Sequence, residues 1–245
     1  EPETENDFKN HLGSKYKITI KDFTGHRETN PNRPCPTILA RGSGGGGVVA
    51  MPHHLGHRRL TVRESARIQD FDDDFEFYGK MGSMYRQIGN AVPIRLAYAI
   101  ANQLPVHFDP LIEVQNRRPK VASLFSGCGG MDLGFIEAGF DIVWANDNFK
   151  EAVDTYRHNI GNHIVDKDVS EVKHDEIPNV DVMIGGFPCQ GFSVANTGRS
   201  KDDDRNKLYL EFIRLIREKK PQIFVAENVK GILSLEKGEE FQMIK

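Results

Sequence analysis

From residue 121 onward the chain repeats one pattern: a short apolar run, a turn rich in glycine or acids, then a helical stretch. The runs fall at 121–125, 141–145, 164–165, 180–184 and 222–226. Apolar runs of strand length, spaced by helical patterns, predict strands buried on both faces of one sheet. The expected class is α/β, with a doubly wound, mostly parallel sheet. Such sheets bind ligands beyond the carboxyl ends of their strands, so the residues that follow each run are the candidates for chemistry.

The first run is followed by Phe125-Ser126-Gly127-Cys128-Gly129-Gly130, a turn that lets a nucleotide-bearing ligand approach the backbone at a helix N-terminus. The second ends at Asn146-Asp147, an acid placed to accept ribose hydroxyls, and the third leads to Asp168-Val169. Taken alone, these features admit either a dinucleotide oxidoreductase or an enzyme with an adenosyl cofactor. The FSGCGG spacing departs from GxGxxG, which disfavours the first. The fourth run opens into Gly185-Gly186-Phe187-Pro188-Cys189-Gln190-Gly191-Phe192-Ser193. Pro188 fixes its own backbone and extends Phe187, so Cys189 is aimed by the loop. Cys189 is thus a candidate nucleophile, with a small buried apolar residue as the plain alternative. Glu227, after the fifth run, should share its rim; a thiolate beside a carboxylic acid can attack an electron-poor ring and protonate it.

The first half reads differently. Residues 1–57 look β-rich, with candidate strands at 17–21, 36–40 and 48–51 and a glycine loop at 42–47. Thr61 and Glu64 form a capping box that opens a short helix. A second helix is expected after Asn90 or Ala91, with Pro93 in its first turn and an end near Leu104. Its apolar stripe is Val92, Leu96, Ala99, Ile100 and Leu104, which implies packing on a body elsewhere. The expected domains are a partial β-rich module at 1–57, a docking segment at 58–105, a linker at 106–120 and a cofactor domain at 121–245.

The net charge is −3, but every cation between His26 and Gln69 is an arginine, and only Glu28 and Glu64 oppose them there. Arginine suits phosphate forks and guanine edges, so this span, Arg58 and Arg59 included, is a candidate nucleic-acid surface. The 3 cysteines lie far apart without CxxC spacing, which fits a reducing cytoplasm and predicts no metal site. No stretch has the apolar length of a membrane span.

Taken together, VASLFSGCGGMDLGF, GGFPCQGFS, AENV, RRLTVRESARIQDF and QIGNAVP resemble the DNA (cytosine-5)-methyltransferase family over roughly residues 58–245. The resemblance implies a Rossmann-like fold dependent on S-adenosyl-L-methionine, acting on double-stranded DNA within a prokaryotic restriction-modification system. Cys189 would attack carbon 6 of a flipped cytosine, and Glu227 would protonate its N3 edge. Phe125, Ser126, Gly127, Cys128 and Gly130 would line the cofactor turn. Asp147 would bind the ribose, Asp168 and Val169 the adenine, with Pro188, Leu208, Asn90 and Val92 completing the pocket. DNA contacts would fall at Arg58, Arg59, Thr37, Gln190, Ser193 and Asn228.

Two departures from the family's usual pattern stand out. QIGNAVP and RRLTVRE precede the cofactor turn, where the family normally places them last, so the order looks circularly permuted. A QxRxR strand and most of a target-recognition domain are missing from the sequence, which begins at Glu1 without a methionine. The expectation is a partial enzyme completed by a second polypeptide or by further chain. The rival readings are an RNA cytosine-5 methyltransferase and a cofactor-binding, DNA-docking subunit that is inert alone.

Overall fold

A computed structural model of the chain describes residues 29–38, 40, 53–54, 60–108, 117–187 and 208–228. Five strands form one sheet: β1 (Lys120–Leu124), β2 (Asp141–Asp147), β3 (Ile164–Asp166), β4 (Val182–Gly185) and β5 (Ile223–Ala226). Their order is β3-β2-β1-β4-β5, and every pairing is parallel. The chain winds outward from β1 to β3, then crosses back to β4, so the order reverses between β1 and β4. A crevice at such a switch point is where open α/β sheets hold ligands.

Side chains alternate across the strands, and this splits the core in two. Ala122, Leu124, Trp144 and Met183 face Phe187, Tyr209, Phe212 and Leu215. The last three belong to α6 (Leu208–Lys219), the helix between β4 and β5. On the other face, Val121, Ile142, Val182 and Ile184 meet Phe135, Phe140, Ala97 and Ala101. Phe135 lies in α4 (Gly130–Glu137), which follows β1, while α5 (Lys150–Asn159) follows β2.

The docking segment supplies α1 (Val62–Ile68), α2 (Met81–Asn90) and α3 (Ile94–Ala101). The expected capping box is present: Thr61 Oγ1 accepts from the Glu64 amide at 3.0 Å, and Glu64 Oε2 accepts from the Thr61 amide at 2.8 Å. Helix α2 was not anticipated beyond its QIGN end.

Helix α3 corrects the expected stripe. Leu96 is 51% and Ile100 37% exposed, and Ala99 is exposed as well, while Ile94, Ala97 and Ala101 are buried. The reason is close approach. A Cβ on Gly134 of α4 would lie 2.5 Å from the Ile94 carbonyl oxygen and 2.6 Å from the Ala97 Cβ. One on Gly130 would lie 2.6 Å from the Val92 carbonyl oxygen. Two glycines one turn apart make a groove, and only small residues fit a helix laid into it. The helix is also shorter than expected, with a separate 3₁₀ turn at Leu104–His107.

The segment is tied in by polar contacts too. Gln69 Nε2 donates to the Ile88 and Ala91 carbonyls, each at 3.0 Å, and the Ile94 amide donates to the Gln69 carbonyl at 3.2 Å. The Tyr78 amide reaches Thr155 Oγ1 of α5 at 2.9 Å. Residues 36–38 of the expected strand at 36–40 form no strand, although Ile38 joins the core around Phe71, Phe75 and Phe77. The expected strands at 17–21 and 48–51 lie outside the described residues. No described helix is long and apolar enough to cross a membrane.

Candidate active site and cofactor cleft

The cofactor turn is a sharply wound piece of backbone. Phe125 has φ 55°, Gly127 φ 55° and Gly129 φ 95°, so the chain enters the left-handed region repeatedly between β1 and α4. Glycine adopts that region freely, whereas a non-glycine there is uncommon and held by its surroundings. The restraints are visible. The Ser126 amide donates to the Asn146 carbonyl at 2.9 Å, and the Gly129 amide to the Ser126 carbonyl at 2.9 Å.

Asp147, at the end of β2, closes the turn. Its Oδ2 accepts from the Gly127 amide and its Oδ1 from the Phe149 amide, each at 2.8 Å. Burial pushes its carboxyl pKa up against the pull of these N–H groups and of the Arg86 charge. Backbone N–H groups take up part of the carboxylate's lone-pair capacity and leave room for a ligand hydroxyl. Arg86, whose guanidinium carbon sits 4.2 Å from the Phe149 ring centroid, borders this acid and was not singled out from the sequence.

Asp168 caps a 3₁₀ turn (Val169–Glu171), accepting from Ser170 Oγ at 2.6 Å and from Asn148 Nδ2 at 3.1 Å. Those bonds hold its pKa below the usual range, the Ser170 hydroxyl contributing most. Val169 is 3% exposed and packs in the core beside α6, so its side chain is turned away from solvent. Leu208 packs partly on the same core. Asn90 is exposed at the end of α2, and Val92 is half-buried near Gly130. The Cys128 thiol is buried, and that burial pushes it up to about 12, so it is an inert core group.

The ends of β4 and β5, which pair in parallel, lie side by side. The Glu227 amide donates to the Gly185 carbonyl at 2.9 Å, and a Cβ on Gly186 would lie 3.1 Å from Glu227 Oε2. The carboxyl therefore rests against the start of the cysteine loop, and burial raises its pKa. Asn228 Nδ2 donates to the Phe187 carbonyl at 3.0 Å, pinning the backbone two residues ahead of Cys189. Phe187 is itself locked, 3% exposed, between the Tyr209 and Phe212 rings. Pro188, Cys189, Gln190, Ser193, Arg58 and Arg59 lie outside the described residues. Thr37 is exposed near a concavity of about 440 Å³ lined by Thr29, Asn30, Arg33 and His54, which holds none of the strand-end residues.

A cluster of buried Ser123, Asp132 and Tyr156 with half-buried His163, under the turn, escaped the sequence reading. The available signal was a lone acid in the otherwise apolar helix GMDLGF.

A parallel sheet with its order reversed at the centre, a left-handed glycine turn after one strand and an acid after the next place the chain among the open α/β proteins that hold nucleotide-bearing ligands at a switch point. The chain belongs to the C-5 cytosine-specific DNA methylase family, whose model matches residues 5–105 and 119–245. It is 46% identical over 131 residues to the Type II methyltransferase M.NgoFVII of Neisseria gonorrhoeae, a match covering 53% of this chain and 35% of that protein. It is 41% identical over 163 residues to the Type II methyltransferase M.BsuRI of Bacillus subtilis, covering 54% and 37%. Against the Type II methyltransferase M.Bsp6I of a Bacillus strain the figures are 42% over 127 residues, 51% and 40%. These matches thus span well under half the length of each relative. The crystal structure of S. pombe Dnmt2 methyltransferase overlaps at a TM-score of 0.42 and 24% identity, over 52% of this chain and 41% of that one.

Proposed function

We propose that this chain carries the reaction centre of a DNA cytosine-5 methyltransferase of the restriction-modification kind, acting from the cytoplasm on duplex DNA. The observation that supports this most is the meeting of two strand ends. Glu227 lies against Gly186, and Asn228 holds Phe187 by its carbonyl, so the acid sits at the base of the loop that carries Cys189.

In this reading the Cys189 thiolate forms a bond to carbon 6 of an extruded cytosine. Glu227, whose pKa its burial raises, donates a proton to N3, so the electron pair of the 5,6 double bond becomes available at carbon 5. After carbon 5 is substituted, its proton leaves to solvent, the thiolate departs from carbon 6 as the 5,6 double bond re-forms, and the N3 proton returns to Glu227. Extrusion itself costs a few kcal/mol of lost stacking and pairing.

The residues present fit an adenosyl cofactor. The left-handed turn 125–129 brings backbone close to the crevice, and Asp147 keeps free lone pairs beside it. S-adenosyl-L-methionine bound there would supply an electrophilic methyl group. Phe125, Ser126, Gly127 and Gly130 would hold it at the turn, Asp147 at its ribose and Asp168 at its base. Pro188, Leu208, Asn90 and Val92 would border it. Arg58, Arg59, Thr37, Gln190 and Ser193 would meet DNA. A second polypeptide or further chain would supply the base-contacting QxRxR segment and most of the sequence reader.

The test is covalent capture. Duplex DNA carrying 5-fluorocytosine, offered with the cofactor and any completing partner, should leave an adduct that peptide mapping places on Cys189. An adduct on another residue, or turnover by Cys189→Ser, would overturn the assignment. Capture on transfer RNA with none on DNA would favour the RNA enzyme instead.

A further inference from the structure

Directly beneath the cofactor turn lies a buried acid that this chemistry does not use. Asp132, in the first turn of α4, is 0% exposed. Its Oδ1 accepts from Ser123 Oγ at 2.6 Å, and its Oδ2 from the Tyr156 hydroxyl at 2.7 Å. Ser126 Oγ, in the turn itself, lies 2.9 Å from Ser123 Oγ and 3.1 Å from the Ser123 carbonyl. On the far side, His163 Nε2 lies 3.0 Å from the Tyr156 oxygen.

Each hydroxyl has one proton to give, which fixes the direction of the chain. Tyr156 donates to Asp132 and so accepts from His163, which assigns the proton to Nε2. Ser123 donates to Asp132 and can accept from Ser126. The donors converge on one carboxylate, which receives from both sides when ionised. The ionisable groups around it are Tyr156 of α5, Asp147 of β2 and Cys128 of the turn, with His163 behind Tyr156.

An ionised acid is a poor choice for holding a fold together at this position. Burial pushes Asp132 up to about 6, although Ser123 and Tyr156 pull the other way. Its folded pKa is above the unfolded value, so the stability it contributes is full below the unfolded pKa and is lost as pH rises through about 6. Asparagine, of the same shape, would escape that penalty. The acid's use must lie in what it orients.

We propose that Asp132 is a positioning residue for cofactor binding: through Ser123 and Ser126 it holds the turn at 125–130 in the shape that receives the adenosyl ligand. This rests on the reading of that turn as the cofactor site, and the experiment separates the two. In full-chain Asp132→Asn without ligand, amide exchange at Gly127 and Gly129 should quicken about tenfold as the turn opens locally. Affinity for S-adenosyl-L-homocysteine by calorimetry should fall about tenfold, one charged hydrogen bond's worth. Tm should hold or rise. Unchanged exchange and affinity overturn the proposal. So does a loss of affinity accompanied by a matching fall in Tm, which marks an acid that only supports the fold. Wild-type protein that binds no S-adenosyl-L-homocysteine overturns the cofactor reading, while exchange still reports on the hydrogen-bond chain. Should Asp132→Asn fail to fold, Ser123→Ala cuts the same link and leaves Asp132 bonded to Tyr156; unchanged exchange and affinity there also overturn the proposal.

Discussion

The cofactor turn and the cysteine rim leave neighbouring strands, yet they are built on opposite plans. The turn is over-determined: three residues at positive φ, an acid capping it from β2 and a second acid below it in the core. Among the described residues the rim is set differently, by a backbone bond from Glu227 to Gly185, a side-chain bond from Asn228 to Phe187 and the packing of Phe187 against the Tyr209 and Phe212 rings. Geometry built from backbone and buried charge suits a ligand that must be received the same way each cycle.

The sharpest way to break this contrast is Glu227→Gln. If the rim supplies proton transfer alone, kcat should fall about 10²–10⁴-fold while cofactor affinity stays the same. A matching loss of cofactor affinity would show that the two regions are not separable. Next in size is Gly134→Ala, which drives a methyl group into the Ile94 carbonyl and the Ala97 side chain. It should cost about 1–3 kcal/mol of stability by overpacking, read as a lower Tm. Cofactor affinity should fall with it, because α3 then lifts from the helix that follows the turn.

Asn228→Ala removes the tie to Phe187 and should cost about 1 kcal/mol, seen as a several-fold lower kcat with unchanged cofactor affinity. A change in cofactor affinity equal to that in kcat would assign Asn228 to the turn instead. The smallest effect concerns pH. Because Asp132 receives from both donors when ionised, the affinity gap between wild type and Asp132→Asn should narrow as pH falls through about 6. A gap that stays constant across that range would detach the turn's shape from the charge of Asp132.

Much of the architecture was legible in the chain. The five apolar runs are the five strands to within a residue or two, since runs too short for helices have few other homes in a parallel sheet. Thr61 and Glu64 were legible because a capping box is a local exchange between residues three apart. Asp147 and Glu227 were legible as strand-end acids, because topology carries every parallel strand's end to one rim. The face of α3 was misread because hydrophobicity was weighed without the partner. Gly130 and Gly134 sit in another helix, and their groove favours Ala97 and Ala101 over Leu96 and Ile100. Asp132 went unnoticed since its partners lie at 123 and 156, with no spacing that marks them.

The order of apolar runs and the residues that end them were enough to determine a parallel α/β sheet and to place its candidate chemistry at the strand ends, because strand length and turn composition act locally. Tertiary structure alone decided which helix face is buried and which acid is drawn inside, because burial depends on what the partner element leaves open. For Asp132 the deciding neighbours are Ser123 of β1 and Tyr156 of α5, with His163 bonded in turn to Tyr156, and only the folded sheet brings the two hydroxyls within hydrogen-bonding reach of one carboxylate.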